Sequence, residues 1–207
     1  MWGIRNSRPT WAACALILLS VVGCMGGASM PARFYMFNPV APTAVGQTNL
    51  AGRIVRVGIE QVEIPRYLDR PQIVTLNEGV EYHIDEFNQW LEPLSANLTR
   101  VVAENLSEML GAEEIDILSG LSSLKTEYRI TVQVLRLDGQ PGRHAILVAR
   151  WALFGQDSNA PLFTKRCVEK ETLSDDSFQS FVKAQNLMVE SLSRDIGDAI
   201  RAAVLNE

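Results

Sequence analysis

The sequence predicts an α+β fold: a two-layer domain, mainly antiparallel sheet, with two long amphipathic helices packed on one face. Three observations predict it. Apolar residues recur at three and four positions from about residue 92 to 110 and again from 174 to 204, the period of a helix with one buried side. Six or seven shorter segments alternate polar with apolar residues or run continuously apolar, as strands do. The turn-forming runs Asp138-Gly-Gln-Pro-Gly142 and Gly155-Gln-Asp-Ser-Asn159 join successive strand segments, which makes an antiparallel meander.

At the N-terminus Arg5 and Arg8, with no acidic neighbour, precede the apolar residues 11–22. A spanning helix needs about 20 apolar residues and this run is shorter, so it reads as an export signal that is removed. Val21-Val22-Gly23-Cys24 puts small or aliphatic residues ahead of a cysteine, the pattern cut by the lipoprotein signal peptidase, with Val21 where Leu is preferred. The expected organisation is a signal peptide over residues 1–23, an acylated Cys24 opening a short Gly/Ser/Pro tether over residues 24–32, and one domain over residues 33–207.

Within that domain Arg33-Phe-Tyr-Met-Phe37 is a short strand stopped by Asn38-Pro39, and residues 39–52 form a loop. Val55, Val57 and Ile59 share one face of the next strand, with Arg56, Gly58 and Glu60 on the other. Pro65 and Pro71 bracket Arg66-Tyr-Leu-Asp-Arg70 as an ordered turn, because each proline removes a ladder donor and restricts the residue before it. Ile73-Val-Thr75 and Val80-Glu-Tyr-His-Ile84 form a hairpin through Asn77-Glu-Gly79.

From Phe87 the spacing turns helical through Trp90, Leu91, Leu94, Leu98, Val101, Val102, Leu106, Met109 and Leu110. Pro93 belongs in a first turn, so the long helix starts at Glu92-Pro93, a separate turn covers residues 85–91, and Gly111 ends the helix. Strands follow around Tyr128 to Val134, over the apolar residues 145–154 with Trp151, and over residues 162–168; the apolar one is expected to be central and covered on both faces. The last helix opens with Ser174 as cap and Asp175-Asp176 in its first turn, and its stripe runs from Phe178 to Val204.

The chemical inventory excludes several classes. Gly-rich phosphate loops, paired Cys or His at metal spacing and a Ser nucleophile elbow are lacking, so neither catalysis, a metal nor a cofactor is expected. Glu113-Glu114 and Asp175-Asp176 read as solvated or dipole-stabilising boundary residues. Asn97-Leu-Thr99 and Asn105-Leu-Ser107 match the glycosylation pattern by chance, inside a helix. Loss of Arg5 and Arg8 leaves 17 basic against 24 acidic residues, a charge of −7, which disfavours nucleic acid as partner. Once Cys14 leaves with the signal and Cys24 takes lipid, Cys167 has no disulfide partner, and its strand setting makes it a packed thiol. The proline-stiffened Tyr67, Leu68, Asp69, Arg70 and Pro71 form the candidate contact surface, for a partner or for another copy of the chain. The alternative is that Tyr67 and Leu68 cover the core while Asp69 and Arg70 pair at a turn.

The string Val62-Glu-Ile-Pro-Arg-Tyr-Leu-Asp-Arg-Pro-Gln-Ile-Val74, with Trp90-Leu-Glu-Pro-Leu94, Val102-Ala-Glu-Asn-Leu-Ser-Glu-Met-Leu110, the Cys24 lipobox and Phe34-Tyr-Met-Phe-Asn-Pro39, resembles the ABC-type transport auxiliary lipoprotein (PqiC-like) family. The resemblance implies a lipid-anchored protein on the periplasmic face of the outer membrane. It implies as partners an MCE-domain (mammalian cell entry) periplasmic tunnel protein and its inner-membrane permease, a docking role in lipid transport, and assembly as a homo-oligomeric ring. Met25 and Gly26 stand where an aspartate would favour inner-membrane retention. A reading of a different class is a monomeric periplasmic lipid-binding or lipoprotein-carrier domain.

Overall fold

The alternation and periodicity above translate into eight strands and two helices in the computed structural model, which describes residues 31–39, 54–77, 79–111, 115–119 and 125–206. They are β1 (Arg33–Tyr35), β2 (Val55–Ile59), β3 (Gln72–Asn77), β4 (Glu81–Trp90), α1 (Leu94–Leu110), β5 (Ile115–Ser119), β6 (Tyr128–Gln140), β7 (His144–Gly155), β8 (Pro161–Thr172) and α2 (Phe178–Leu205). Ala32–Glu207 is one compact unit. Cys24, residues 40–53 and Glu113-Glu114 lie outside the described residues.

The α+β class, the antiparallel majority and the two long helices are as the sequence predicts, but the strands divide between two sheets. A five-stranded sheet has the order β5-β2-β6-β7-β8 and a three-stranded one the order β1-β4-β3. The β6–β7–β8 meander is antiparallel, whereas β2 runs parallel to both of its neighbours. α1 lies against β5, and its Thr99 hydroxyl accepts the Val62 N–H just beyond β2 at 2.9 Å. α2 lies over β7 and β8, where Asp195 pairs with Lys165 at 2.6 Å. The helices also pack on each other. Gly197 brings its backbone so close to α1 that a Cβ there would sit 3.5 Å from Leu106, and Asn105 donates to the Ser193 hydroxyl at 3.2 Å.

The helical stripes are core. Leu94, Leu98, Val102, Leu106 and Leu110 of α1 meet Phe181, Val189, Leu192, Ile196 and Ile200 of α2 in a single buried cluster with Val55, Val57, Ile130, Leu147 and Trp151. Burial of this apolar surface is the main stabilising term, about 25 cal/mol per Å². Asn97 and Asn105 are both buried. Their amides are therefore occupied in the fold.

Four expectations change. The separate turn over residues 85–91 becomes part of strand β4: the Asp85 carboxylate accepts the Phe87 and Asn88 N–H groups at 2.8 and 2.7 Å, bulging the strand before it re-pairs at Gln89. Pro93 is the cap residue and the helix begins at Leu94. At α2 the cap is Ser177, not Ser174, with its side chain accepting the Ser180 N–H at 3.1 Å. Asp175 precedes the helix, and hydrogen bonds from Ser177 and Ser180 hold its carboxyl well below the usual carboxylate range. Finally, β7 is flanked on both edges but fully buried on one face only: Ala145, Leu147, Ala149, Trp151 and Leu153 are buried beneath α2, while on the other face Val148 is buried, Ile146, Ala152 and Phe154 are half-buried and Arg150 is exposed. Gly111, at φ 78°, ends α1 as expected.

Candidate functional site

Two prolines set the loop between β2 and β3. Successive turns close it: the Leu68 N–H reaches the Pro65 carbonyl at 2.9 Å and the Asp69 N–H reaches that of Arg66 at 3.3 Å. The Pro71 carbonyl then accepts the Trp90 N–H at 2.6 Å and the Tyr35 carbonyl accepts that of Leu91 at 2.8 Å, tying loop, β1 and the end of β4 together. The Phe37 and Trp90 rings meet at 5.0 Å, and buried Asn97 of α1 grips the Phe37 backbone, accepting its N–H at 2.8 Å and donating to its carbonyl. The Phe34 to Pro39 and Trp90 to Leu94 strings, distant in sequence, thus serve one structural junction.

The five loop residues part company here. Leu68 is buried in the core. Tyr67 packs against that core and meets the Tyr82 ring at 5.1 Å in a tilted contact, while its hydroxyl donates to Asp138 at 3.3 Å. Burial, then the Asp138 charge, pushes the Tyr67 phenol far above its ordinary value, so it stays a neutral donor. Asp138 itself is fully buried in β6 and its other oxygen receives the Arg136 Nε at 2.7 Å. Asp69 and Pro71 are exposed and Arg70 is half-buried, with no ion pair between Asp69 and Arg70 among the described residues. The inward half of the loop is an anchor and the outward half a surface.

That surface borders a groove of about 390 Å³ lined by Phe34, Arg70, Pro71, Trp90 and Leu91, into whose wall the Arg70 Nε is buried with no hydrogen-bond partner among the described residues. A second, larger groove of about 690 Å³ lies between β1 and the start of α2, with Arg33, Phe34, Met36, Lys183 and Asn186 on its walls. Phe34 stands between the two, 58 % exposed. Neither groove sets a nucleophile beside a base. Among the described residues no group of three or more His, Cys, Asp or Glu side chains is placed to hold a metal ion. Cys167 is buried, donates to the Ala149 carbonyl at 3.6 Å, and has its thiol pKa raised by burial, the opposite of an activated nucleophile.

The family model of the ABC-type transport auxiliary lipoprotein component matches residues 35–197, from the end of β1 into α2. The chain belongs to this family. It is an auxiliary lipoprotein of ABC/MCE-type transport, lipid-anchored and periplasmic. Among the described residues no helix is long and apolar enough to cross a membrane. No curated protein matches the chain. Among solved structures it is similar to one described only as an uncharacterized protein, with TM-score 0.67 and 20 % identity over 83 % of this chain and 99 % of that one. It is also similar to protein XCC0632 from Xanthomonas campestris, with TM-score 0.64 and 14 % identity over 80 % of this chain and 93 % of the other. At these identities the likeness is one of fold.

The loop's stiffness was legible from its two prolines. What sequence reasoning missed was the partner of Tyr67: Asp138 lies in the run Asp138-Gly-Gln-Pro-Gly142, which reads as turn, and nothing local marks it as a buried charge.

Proposed function

We propose that this auxiliary lipoprotein is a docking component at the outer membrane. In this reading residues 1–23 are removed as a signal peptide, Cys24 carries the acyl chains, residues 24–32 act as tether, and the single domain that follows seats the MCE-domain tunnel protein of an inner-membrane permease system. Several copies form a ring that surrounds the mouth of the tunnel. The observation that carries it is the two-sided loop: Tyr67 and Leu68 fix its inner side, so that Asp69, Arg70 and Pro71 are presented in one conformation beside an open groove. A pre-organised surface of that kind loses little entropy on binding. Its placement on a lipidated chain suits a protein that holds others in position.

The anchor is tested by Cys24→Ala. Each buried methylene of an acyl chain contributes about 0.8 kcal/mol, so losing the chains moves the protein from the membrane to the soluble fraction. A variant that stays with the membrane refutes acylation at Cys24. Docking is tested by Arg70→Glu, which should weaken capture of the cognate tunnel protein by tenfold or more while the fold stays intact by circular dichroism. Unchanged capture would remove the loop from the contact. A lipid-carrier role instead requires a monomer that co-purifies with lipid.

A further inference from the structure

The outer face of the β7–β8 pair carries an arrangement that the isolated chain does not explain. Arg150 and Arg166 lie directly opposite each other across the two strands, in the same row as Gln133 of β6. Like charges in cross-strand register repel, and an acid on a neighbouring strand is the usual remedy. Here the neighbouring acids are already engaged. Glu60 pairs with Arg129 at 2.8 Å, Glu63 accepts the Gln133 amide at 3.1 Å, and the two oxygens of Asp138 take Arg136 and Tyr67. Glu169 faces the helix side, where it accepts the Ser191 hydroxyl. Arg150, Arg166 and, two rows on, Lys170 have no acidic partner among the described residues. Interleaved with them are Val168, 56 % exposed, Leu162, 53 % exposed, and Leu135 at the β6 bulge. On a chain of net charge −5 this is a basic and apolar face.

The same chain presents the complement. β1 pairs only with Asn88, Gln89 and Trp90 of β4, so from Glu81 to Phe87 that strand has β3 on one side and, among the described residues, no strand on the other. Val80, which is 88 % exposed, Ile84 and Phe87 stand clear of the core, and Tyr82, which touches Tyr67, is still 49 % exposed. Between them Glu81 and Glu86 are exposed and have no ion pair among the described residues, Glu86 receiving the Gln72 amide at 3.4 Å. Asp85 is spent on its own bulge, and His83, 3.9 Å from it, is the arm's one titratable base. The arm is acidic and apolar where the sheet face is basic and apolar.

We propose that the β3–β4 arm of one copy docks on the outer face of β7–β8 in the next, with Glu81 and Glu86 meeting Arg150 and Arg166 and the exposed apolar residues closing around them. Arm and face are different surfaces, so the contact is heterologous and repeats from copy to copy, the geometry that closes into a ring when the rotation allows. The inference rests on the ring reading above and supplies its interface.

The test is a charge swap on the full chain in detergent, followed by sedimentation velocity. Wild-type protein sediments as a discrete oligomer. Arg150→Glu with Arg166→Glu, and separately Glu81→Lys with Glu86→Lys, each shift it to monomer, weakening association by at least tenfold. A mixture of the two variants regains the oligomer with the two alternating, because native arm meets native face and swapped arm meets swapped face. All four changes in one chain restore the oligomer. If either pair of changes leaves the wild-type oligomer in place, the ring reading survives and this interface does not. If the four-fold variant is folded by circular dichroism yet stays monomeric, the pairing of arm with face is wrong. If the wild-type chain is monomeric at all concentrations, ring and interface fall together. Binding of that monomer to vesicles of seven parts phosphatidylcholine to three of phosphatidylglycerol, lost on Arg150→Glu with Arg166→Glu, would then give the face to a membrane.

Discussion

The two faces of the β6–β7–β8 meander are made from alternate residues of the same strands, and they obey different physics. On the inner face Ile130, Val132, Leu147, Ala149, Trp151 and Cys167 are buried in the core, and shape complementarity decides what is tolerated. On the outer face Arg150, Arg166, Val168 and Lys170 meet solvent. One strand can thus hold the domain together with alternate residues and remain available for contact with the residues between them. Asp138 is the exception that defines the border. It is buried although it lies opposite Ile146, in register with the outer row, because Tyr67 of the proline loop reaches over it.

Substitutions separate the two faces, and the largest effect belongs inside. Leu147→Ala leaves a cavity against α2 and should cost about 3 kcal/mol of unfolding free energy by denaturant titration. A loss below about 1 kcal/mol would mean that the inner face repacks. Next comes Asp138→Ala at the border. Removing one half of a fully buried ion pair costs about 3 to 5 kcal/mol, but Arg136 keeps a third of its side chain in water, so about 2 kcal/mol is expected here. Tyr67→Phe, which removes only the phenol's bond to Asp138, should cost about 1 kcal/mol. Val168→Ala on the outer face should change unfolding by less than about 0.5 kcal/mol, which the same titration measures. A Val168 effect as large as that of Leu147 would erase the distinction between the faces.

A smaller effect tests the segment leading into α2. The Asp175 carboxyl is held low by hydrogen bonds from Ser177 and Ser180, so its folded value lies below its unfolded one. A depressed carboxylate stabilises the fold above its unfolded value, near pH 4, and that stabilisation fades as pH falls through the folded value. Melting temperatures measured from pH 6 down to pH 2 should therefore decline less steeply in Asp175→Asn than in the wild-type chain. Superimposable profiles would show that the turn ahead of α2 is energetically idle.

How much of this was legible in the sequence depends on the range of the interaction. α1, α2, β2 and the meander announce themselves because periodicity is local and each has one side in the core. β5 did not: Ile115-Asp-Ile-Leu-Ser119 is too short and only partly buried, and its place beside β2 comes from a parallel pairing that no turn encodes. Phe87, Trp90 and Leu91 continue the three-and-four spacing of α1 by coincidence, and the bulge at Asp85 then returns the chain to β4. At the candidate site the prolines marked a stiff loop, but which of its side chains turned inward was set by Asp138, 71 residues away from Tyr67. The facing arginines were hidden for a similar reason. Arg150 sits in a run that reads as almost wholly apolar, and only strand register reveals Arg166 across from it.

The position of α2 at the end of the fold has a consequence for how the chain acquires its structure over time. β2 cannot be flanked on both sides until β5 and β6 exist, and the inner face of the meander stays bare until Phe178–Leu205 arrives. A chain made from its N-terminus therefore passes through a stage in which the sheet is present and its roof is not. During that interval Leu147, Trp151 and Leu153 are open to any apolar surface nearby, which makes the unfinished chain a client for holding factors. Truncation before Phe178 should freeze the chain in that state, so the last helix acts as the closing step of biogenesis.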